Sequence, residues 1–236
     1  MSAEKYTDFH RERMGAHLYP NEFLIRTLLG RYPGLEMSRD YAGRRLLDVG
    51  FGDGRNLPLF RNLGVEIFGV EPDPDVCRLV TERVAPAGID CTLRAGSNTQ
   101  IPFDDGFFDY VVASSSVYYV RENETFSDNL AEVARVMRSG GWLVATLPDL
   151  ENAVLADAVD LTGGHWRITS DPFDLRNGGI FRAFETTAEI EAAFRPWFER
   201  FSFARFRDDW YGLIVSGFAV VCRARANPAD DSITVG

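Results

Sequence analysis

A chain of 236 residues with 45% hydrophobic content buries a substantial core, and its length suits one α/β domain. The formal charge of −10 argues against a phosphate-tracking surface, because nucleic-acid binding needs clustered Lys and Arg to displace counterions; neither nucleic acid nor an anionic membrane is an expected partner. Cys77, Cys91 and Cys222 are odd in number and form no C-x-x-C pair. Neither a disulfide framework nor a bound metal is therefore expected, and with no long apolar run the chain reads as soluble and cytoplasmic.

In chain order, residues 1–43 are expected to form a helical cap segment, and residues 1–225 a single domain. Strand-length apolar runs follow at "RRLLDVG" (44–50), "EIFGV" (66–70), "IDCTLR" (89–94), "DYVVAS" (109–114) and "GWLVATL" (141–147). Unbroken Val, Ile, Leu and Phe runs suit parallel strands buried on both faces. Helical patterns lie between them, at about 55–63, 74–84 and 124–138, and "SGG" at 139–141 predicts a glycine C-cap for the third helix. Residues 148–186 read as an insertion, followed by a helix near 187–194. "FERFSFARF" (198–206) and "YGLIVSGFAVVCRA" (211–224) are separated only by "RDDW", too short for a parallel crossover, so they predict an antiparallel hairpin. The fold class is α/β: a Rossmann-like, doubly wound, mostly parallel seven-stranded sheet ending in that hairpin, with residues 226–236 a flexible tail.

In such a sheet the ligand sits outside the carboxyl ends of the strands, where strand order reverses, so the loop after the first strand is the expected site. "DVGFGDG" occupies it. Gly50, Gly52 and Gly54 permit positive φ and close approach of a ligand to the main chain, and the next helix aims its amides at an anion. Glu71 ends the second strand, where a carboxylate accepts both hydrogen bonds of a ribose diol. A nicotinamide dinucleotide would satisfy these two features as well as another adenosine ligand.

With these motifs the chain resembles the class I S-adenosylmethionine-dependent methyltransferases, in the branch acting on small molecules. "LLDVGFGDGRNL" is similar to that family's first motif, "VEPDPD" to its ribose-binding motif, "RAGSNTQIPFDDGFFDYVVASSSVYYV" to its third and fourth segments, and "EVARVMRSGGWLVATLP" to its paired-glycine motif. The resemblance implies S-adenosylmethionine as cofactor, held by Tyr19, Asp48, Gly50, Phe51, Gly52, Glu71, Pro72, Gly96, Ser97, Asn98, Ser114 and Ser115. Ser97 stands where the family often has an acidic residue, and Ser139 replaces the usual proline before the paired glycines.

The cofactor's methyl is already an activated electrophile, so alignment of an acceptor lone pair supplies most of the catalysis, with a general base added for a hydroxyl acceptor. His165, in the insertion, is the candidate base, and His17 a weaker one; Tyr118, Tyr119 and Arg167 are candidates for the acceptor site. Arg176 and Arg182 could also grip an anionic acceptor, while Phe173, Phe181 and Phe184 read as lid core. The expected activity is methyl transfer to oxygen or nitrogen of a small molecule, by a monomer or homodimer. The alternatives are an RNA or protein methyltransferase, a nicotinamide oxidoreductase, or a non-catalytic cofactor-binding protein.

Overall fold

The computed structural model describes residues 3–13 and 17–226; of the expected tail at 226–236, residues 227–236 lie outside them. Its helices are α1 (Ala3–Arg13), α2 (Glu22–Leu29), α3 (Leu57–Leu63), α4 (Pro74–Val84), α5 (Phe126–Val136) and α6 (Thr187–Phe194). Its strands are β1 (Arg45–Val49), β2 (Glu66–Glu71), β3 (Cys91–Ala95), β4 (Phe108–Ala113), β5 (Tyr119–Val120), β6 (Met137–Pro148), β7 (Val159–Asp160), β8 (His165–Arg167), β9 (Ile180–Arg182), β10 (Phe198–Trp210) and β11 (Leu213–Ala224). Seven of the strands form one sheet in the order β10-β11-β6-β4-β1-β2-β3, with the last five parallel and β11 antiparallel to both neighbours.

Alternation along each strand explains why the runs are continuously apolar. Leu47, Val111, Leu143 and Val220 meet α5 and α6 on one face, while Leu46, Val112, Val144 and Val221 meet α2, α3 and α4 on the other. Both faces are thus covered, as a doubly wound sheet requires. Strand order reverses between β1 and β4, and the chain leaves both at their carboxyl ends.

Two predicted boundaries move. Helix α5 stops at Val136 with Met137 already extended, so "SGG" is not a C-cap. It forms an irregularity inside β6, where pairing passes from Phe108↔Met137 to Tyr110↔Trp142 and Gly140 takes φ +77°. Here the ladder with β4 overrides the local glycine signal. Likewise "RDDW" is not a connector: Asp208, Asp209 and Trp210 pair with Val215, Ile214 and Leu213, leaving Tyr211 and Gly212 as a two-residue turn.

The insertion carries a second sheet, β5-β9-β8-β7, which borrows β5 from the segment after β4. Its apolar centre is Leu155, Ile168, Phe181 and Ala183, with Tyr118, Tyr119 and Trp166 against it. Of the three phenylalanines expected there, Phe181 belongs to this centre, Phe184 joins the main core, and Phe173 is exposed.

At the start of α5 a capping box links Thr125 and Asp128: the Thr125 hydroxyl accepts from the Asp128 N–H, and the Asp128 carboxylate accepts from the Thr125 N–H. Thr125→Ala is expected to cost about 1 kcal/mol, read as a lower urea midpoint with an unchanged slope.

Candidate functional site

β1 delivers the chain into a bend in which Gly50, Gly52 and Gly54 have φ of +71°, +56° and +75°, conformations that L side chains rarely adopt. Space is restricted as well. A Cβ at Gly50 would stand 2.6 Å from the Ser116 Cβ, one at Gly52 2.9 Å from the His10 Cε1, and one at Gly54 2.5 Å from the Val80 Cγ1. The glycines therefore accommodate the chain's own neighbours as well as the backbone turn. Helix α1 lies across the bend, with His10 over Gly52 and the Thr7 hydroxyl bonded to Asp73. Phe51, between the glycines, turns its ring into the core against Gly69, so only its main chain faces the site.

Glu71 is buried at the end of β2 and accepts the Gly52 N–H at 2.9 Å. That bond ties the acidic strand end to the glycine bend; Pro72 follows and is exposed. Asp48 is fully buried one strand away, and neither carboxylate oxygen has a partner of sound hydrogen-bond geometry. Burial pushes its pKa up to about 8; the neighbouring Asn56 amide works against that rise and the charge of Glu71 adds to it. The Asn56 Oδ1 accepts the Asn21 N–H at 3.0 Å, and the Asn21 Nδ2 donates to the Ser114 Oγ at 2.8 Å. This amide chain joins the segment before α2 to the ends of β1 and β4.

The loop after β3 contributes Gly96, Ser97 and Asn98. A Cβ at Gly96 would meet the Val70 Cγ2 at 2.6 Å, so packing alone demands glycine there. Ser97 is buried, within 3.3 Å of the Thr99 hydroxyl. The Asn98 Nδ2 donates to the carbonyls of Ser116 and Tyr119, both at 3.0 Å, so its side chain fixes the turn after β4 rather than pointing to a ligand. Asn129 of α5, fully buried, grips the same turn through Val117 O and Tyr119 O at 2.8 Å each. Ser115 sits at the tip with φ +60°, its N–H bonded to the Thr146 hydroxyl at 2.8 Å. A serine held in the left-handed region by surrounding bonds marks a position where strain is maintained.

Tyr118 and Tyr119 stack at 5.1 Å, and both contact Phe181. Burial raises both phenol pKa values, so each stays protonated at neutral pH; for Tyr119 the nearby Arg176 charge works the other way. Arg176 pairs with buried Asp171 at 2.7 Å, and it is the arginine of the insertion that the structure brings to the tyrosines. Arg167 is turned elsewhere, ion-paired to Glu122 at 2.8 Å. Strand alternation accounts for this. Arg167 and His165 share one face of the small sheet with Ile180 and Arg182, whereas Trp166, Phe181 and Tyr119 share the other. His165 is therefore not brought to Tyr119. Burial, assisted by Arg182, lowers its pKa, and its Nε2 has no hydrogen-bond partner. Tyr19 is 75% exposed, its ring edge-on to that of His17. A cavity of about 270 Å³ lined by Arg44, Asp109 and Arg138 lies at the amino ends of β1 and β4, opposite the glycine bend.

Residues 47–145 match the family model described as a methyltransferase domain. Over 104 residues the chain is 35% identical to a phosphatidylethanolamine N-methyltransferase of Cereibacter sphaeroides, covering 43% of this chain and 49% of that one. The chain thus spans about half the length of that curated relative, and less of an uncharacterized methyltransferase of Mycobacterium avium, 38% identical over 39% of its length. A SAM-dependent methyltransferase of Methanosarcina mazei superposes with a TM-score of 0.63 at 18% identity, covering 84% of this chain and 99% of that one. Residues 47–145 are thus similar to a methyltransferase domain, and the chain shares the fold of the S-adenosylmethionine-dependent methyltransferases.

S-adenosylmethionine is the cofactor of this family, and the donor set fits it. The glycine bend carries no side chain at three positions, Glu71 is a buried carboxylate at the end of β2, and Asp48 is a buried carboxylate whose oxygens have no hydrogen-bond partner of sound geometry among the described residues. Among the described residues no cluster of His, Cys, Asp or Glu is arranged to hold a metal, and no helix is long and apolar enough to cross a membrane.

A folded-state pKa above the unfolded value means that Asp48 stabilises the ligand-free chain at low pH. That contribution declines as pH rises from about 4 towards 8, because the unfolded carboxyl ionises first. Asp48→Asn is accordingly expected to gain stability relative to the parent across that interval, with the difference constant above it. Urea unfolding at pH 5, 6.5 and 8 measures the trend, and a pH-independent difference would contradict it.

Proposed function

We propose that the protein is an enzyme that transfers the methyl group of S-adenosylmethionine to a nucleophilic atom of a small acceptor, nitrogen in preference to oxygen, and that it works in the cytoplasm. The observation that carries the cofactor half of this reading is the Gly52 N–H···Glu71 bond, which sets a buried carboxylate against a left-handed glycine bend. The adenosine diol would take Glu71, with the rest of the nucleoside lying on the main chain of Gly50–Gly52 and on the Gly96–Ser97 loop. Asp48, supported by Asn56, would face the positively charged methionine portion, where a cation repays the burial of a carboxylate. Ser114 and Ser115 would hold the amino-acid end.

The bound cofactor supplies an electrophilic methyl, and the protein's part is to orient, desolvate and exclude water. Asn98 and Asn129 position the turn carrying Tyr118 and Tyr119, which with Arg176 would form the wall of the acceptor site. The preference for nitrogen follows from the absence, among the described residues at this wall, of a group poised to remove a hydroxyl proton: both tyrosines are held protonated, and His165 lies on the opposite face of its sheet. A neutral amine is nucleophilic enough to attack the methyl without prior loss of a proton, whereas a hydroxyl needs a base. The nitrogen chemistry named for the Cereibacter sphaeroides relative supports the same direction.

Calorimetry with S-adenosylmethionine, S-adenosylhomocysteine and NAD tests the cofactor assignment. Binding of the first two but not of NAD is expected, and Glu71→Ala should weaken it roughly 10- to 100-fold through loss of charge-assisted bonds to the diol. NAD binding alone, or an unchanged affinity in the variant, would refute the assignment.

A further inference from the structure

β10 and β11 outrun the sheet that anchors them. β6 pairs with β11 only over Gly217–Arg223, while β10 and β11 remain paired out to Trp210 and Leu213. Residues 206–216 thus form a two-stranded ribbon beyond the end of β6, closed by Tyr211 and Gly212 at φ +56° and +90°. Two strands alone are marginal in water. This ribbon nevertheless exposes Trp210, Tyr211 and Val215. It is tethered near its base, where Glu151 pairs with Arg205 and Arg207 and the Asn152 Nδ2 donates to Ser216 O. The outer edge of β10 is different. Glu36 bonds to Ser202 and pairs with Arg200 at its start, but no strand among the described residues pairs with it, and Ala204, Arg205 and the residues from Arg207 to Trp210 are exposed.

We propose that this edge, from Phe206 to Trp210, pairs antiparallel with the same edge of a second copy, joining two seven-stranded sheets about a two-fold axis at Asp208. The argument is charge complementarity under a symmetry constraint. A two-fold axis normal to the sheet preserves its faces, so the axis must pass through a residue, and partners across it point to the same face. Centred on Asp208, the pairing sets Arg207 opposite Asp209 and Phe206 opposite Trp210, each twice. Centred on Arg207, it would set Arg205 opposite Asp209, but it would also bring two arginines together at the axis and place Phe206 against Asp208 in place of Trp210. Among the described residues, Arg207 uses its Nε for Glu151 at 3.0 Å and Asp209 one oxygen for the Gly212 N–H at 2.7 Å, which leaves a guanidinium nitrogen and a carboxylate oxygen for the pairing. The two Asp208 side chains meet at the axis, which makes the dimer weaker than its other contacts allow. Acidic Asp208 and Asp209 beside the aromatic tip disfavour an anionic bilayer as the occupant.

Sedimentation equilibrium of the full chain tests the interface without knowledge of the acceptor. The parent is expected to pass from monomer to dimer with concentration. Asp208→Asn should tighten the dissociation constant about 3- to 10-fold, and Arg207→Glu should weaken it at least roughly 10-fold, with the swap R207E/D209R restoring association. Asp208 makes no side-chain bond among the described residues, so its variant keeps the test open if the Arg207 variant unfolds. A monomer at every concentration, association with vesicles in place of self-association, or a dimer indifferent to Asp208→Asn would each overturn the proposal.

Discussion

The structure depends on a backbone constraint: three alternate residues after β1 must occupy the left-handed region while strands, helix and loops close around them. Without a Cβ the chain can reverse from β1 into α3 within a few residues, receive Ser116 against Gly50 and Val80 against Gly54, and still present the Gly52 N–H to Glu71. A side chain at any of the three would collide with a neighbour and strain the backbone together. The bend is therefore the joint at which the ends of β1, β2 and β4 are held in register, and chemistry at those ends follows from it.

Around this joint the polar groups divide into two kinds. Asn21, Asn56 and Asn98 form bonds that fix other segments, so their cost of burial is offset within the chain, and Asn129 does the same through its Nδ2 while its Oδ1 has no partner among the described residues. Asp48 is not compensated in that way. A carboxylate kept out of water without a hydrogen-bond partner of good geometry is destabilising in the ligand-free chain, and its retention is understandable where a cationic ligand completes the site. Helix α1 belongs to the same picture. His10 rests on Gly52, so the helix shields the bend.

Much of the sheet was legible in the sequence because burial on both faces writes an unbroken apolar run, which β1, β2, β4 and β6 all carry. The glycine bend and Glu71 were legible for a related reason: backbone conformation and a charge at a strand end restrict residue type directly. Signals that depend on pairing were not. "SGG" looked like a helix stop and "RDDW" like a connector, yet both lie in strands because neighbouring strands supply their partners. The small sheet is built from strands of two or three residues, too short for any periodicity to mark. Without its register, His165 and Arg167 could not be assigned to the face away from Tyr119, nor Arg176 to the tyrosines. Asn129 carried no signal at all, since an asparagine within an amphipathic helix reads as a solvent-facing residue until its two carbonyl partners are known.

The most direct measurement is a crystal structure of the protein with S-adenosylmethionine bound. The account predicts the nucleoside on the main chain of Gly50–Gly52, its sugar hydroxyls on Glu71, and the His10 ring displaced from or packed against it. A cofactor found elsewhere, with His10 still seated on Gly52 and Glu71 bonded only within the chain, would contradict it.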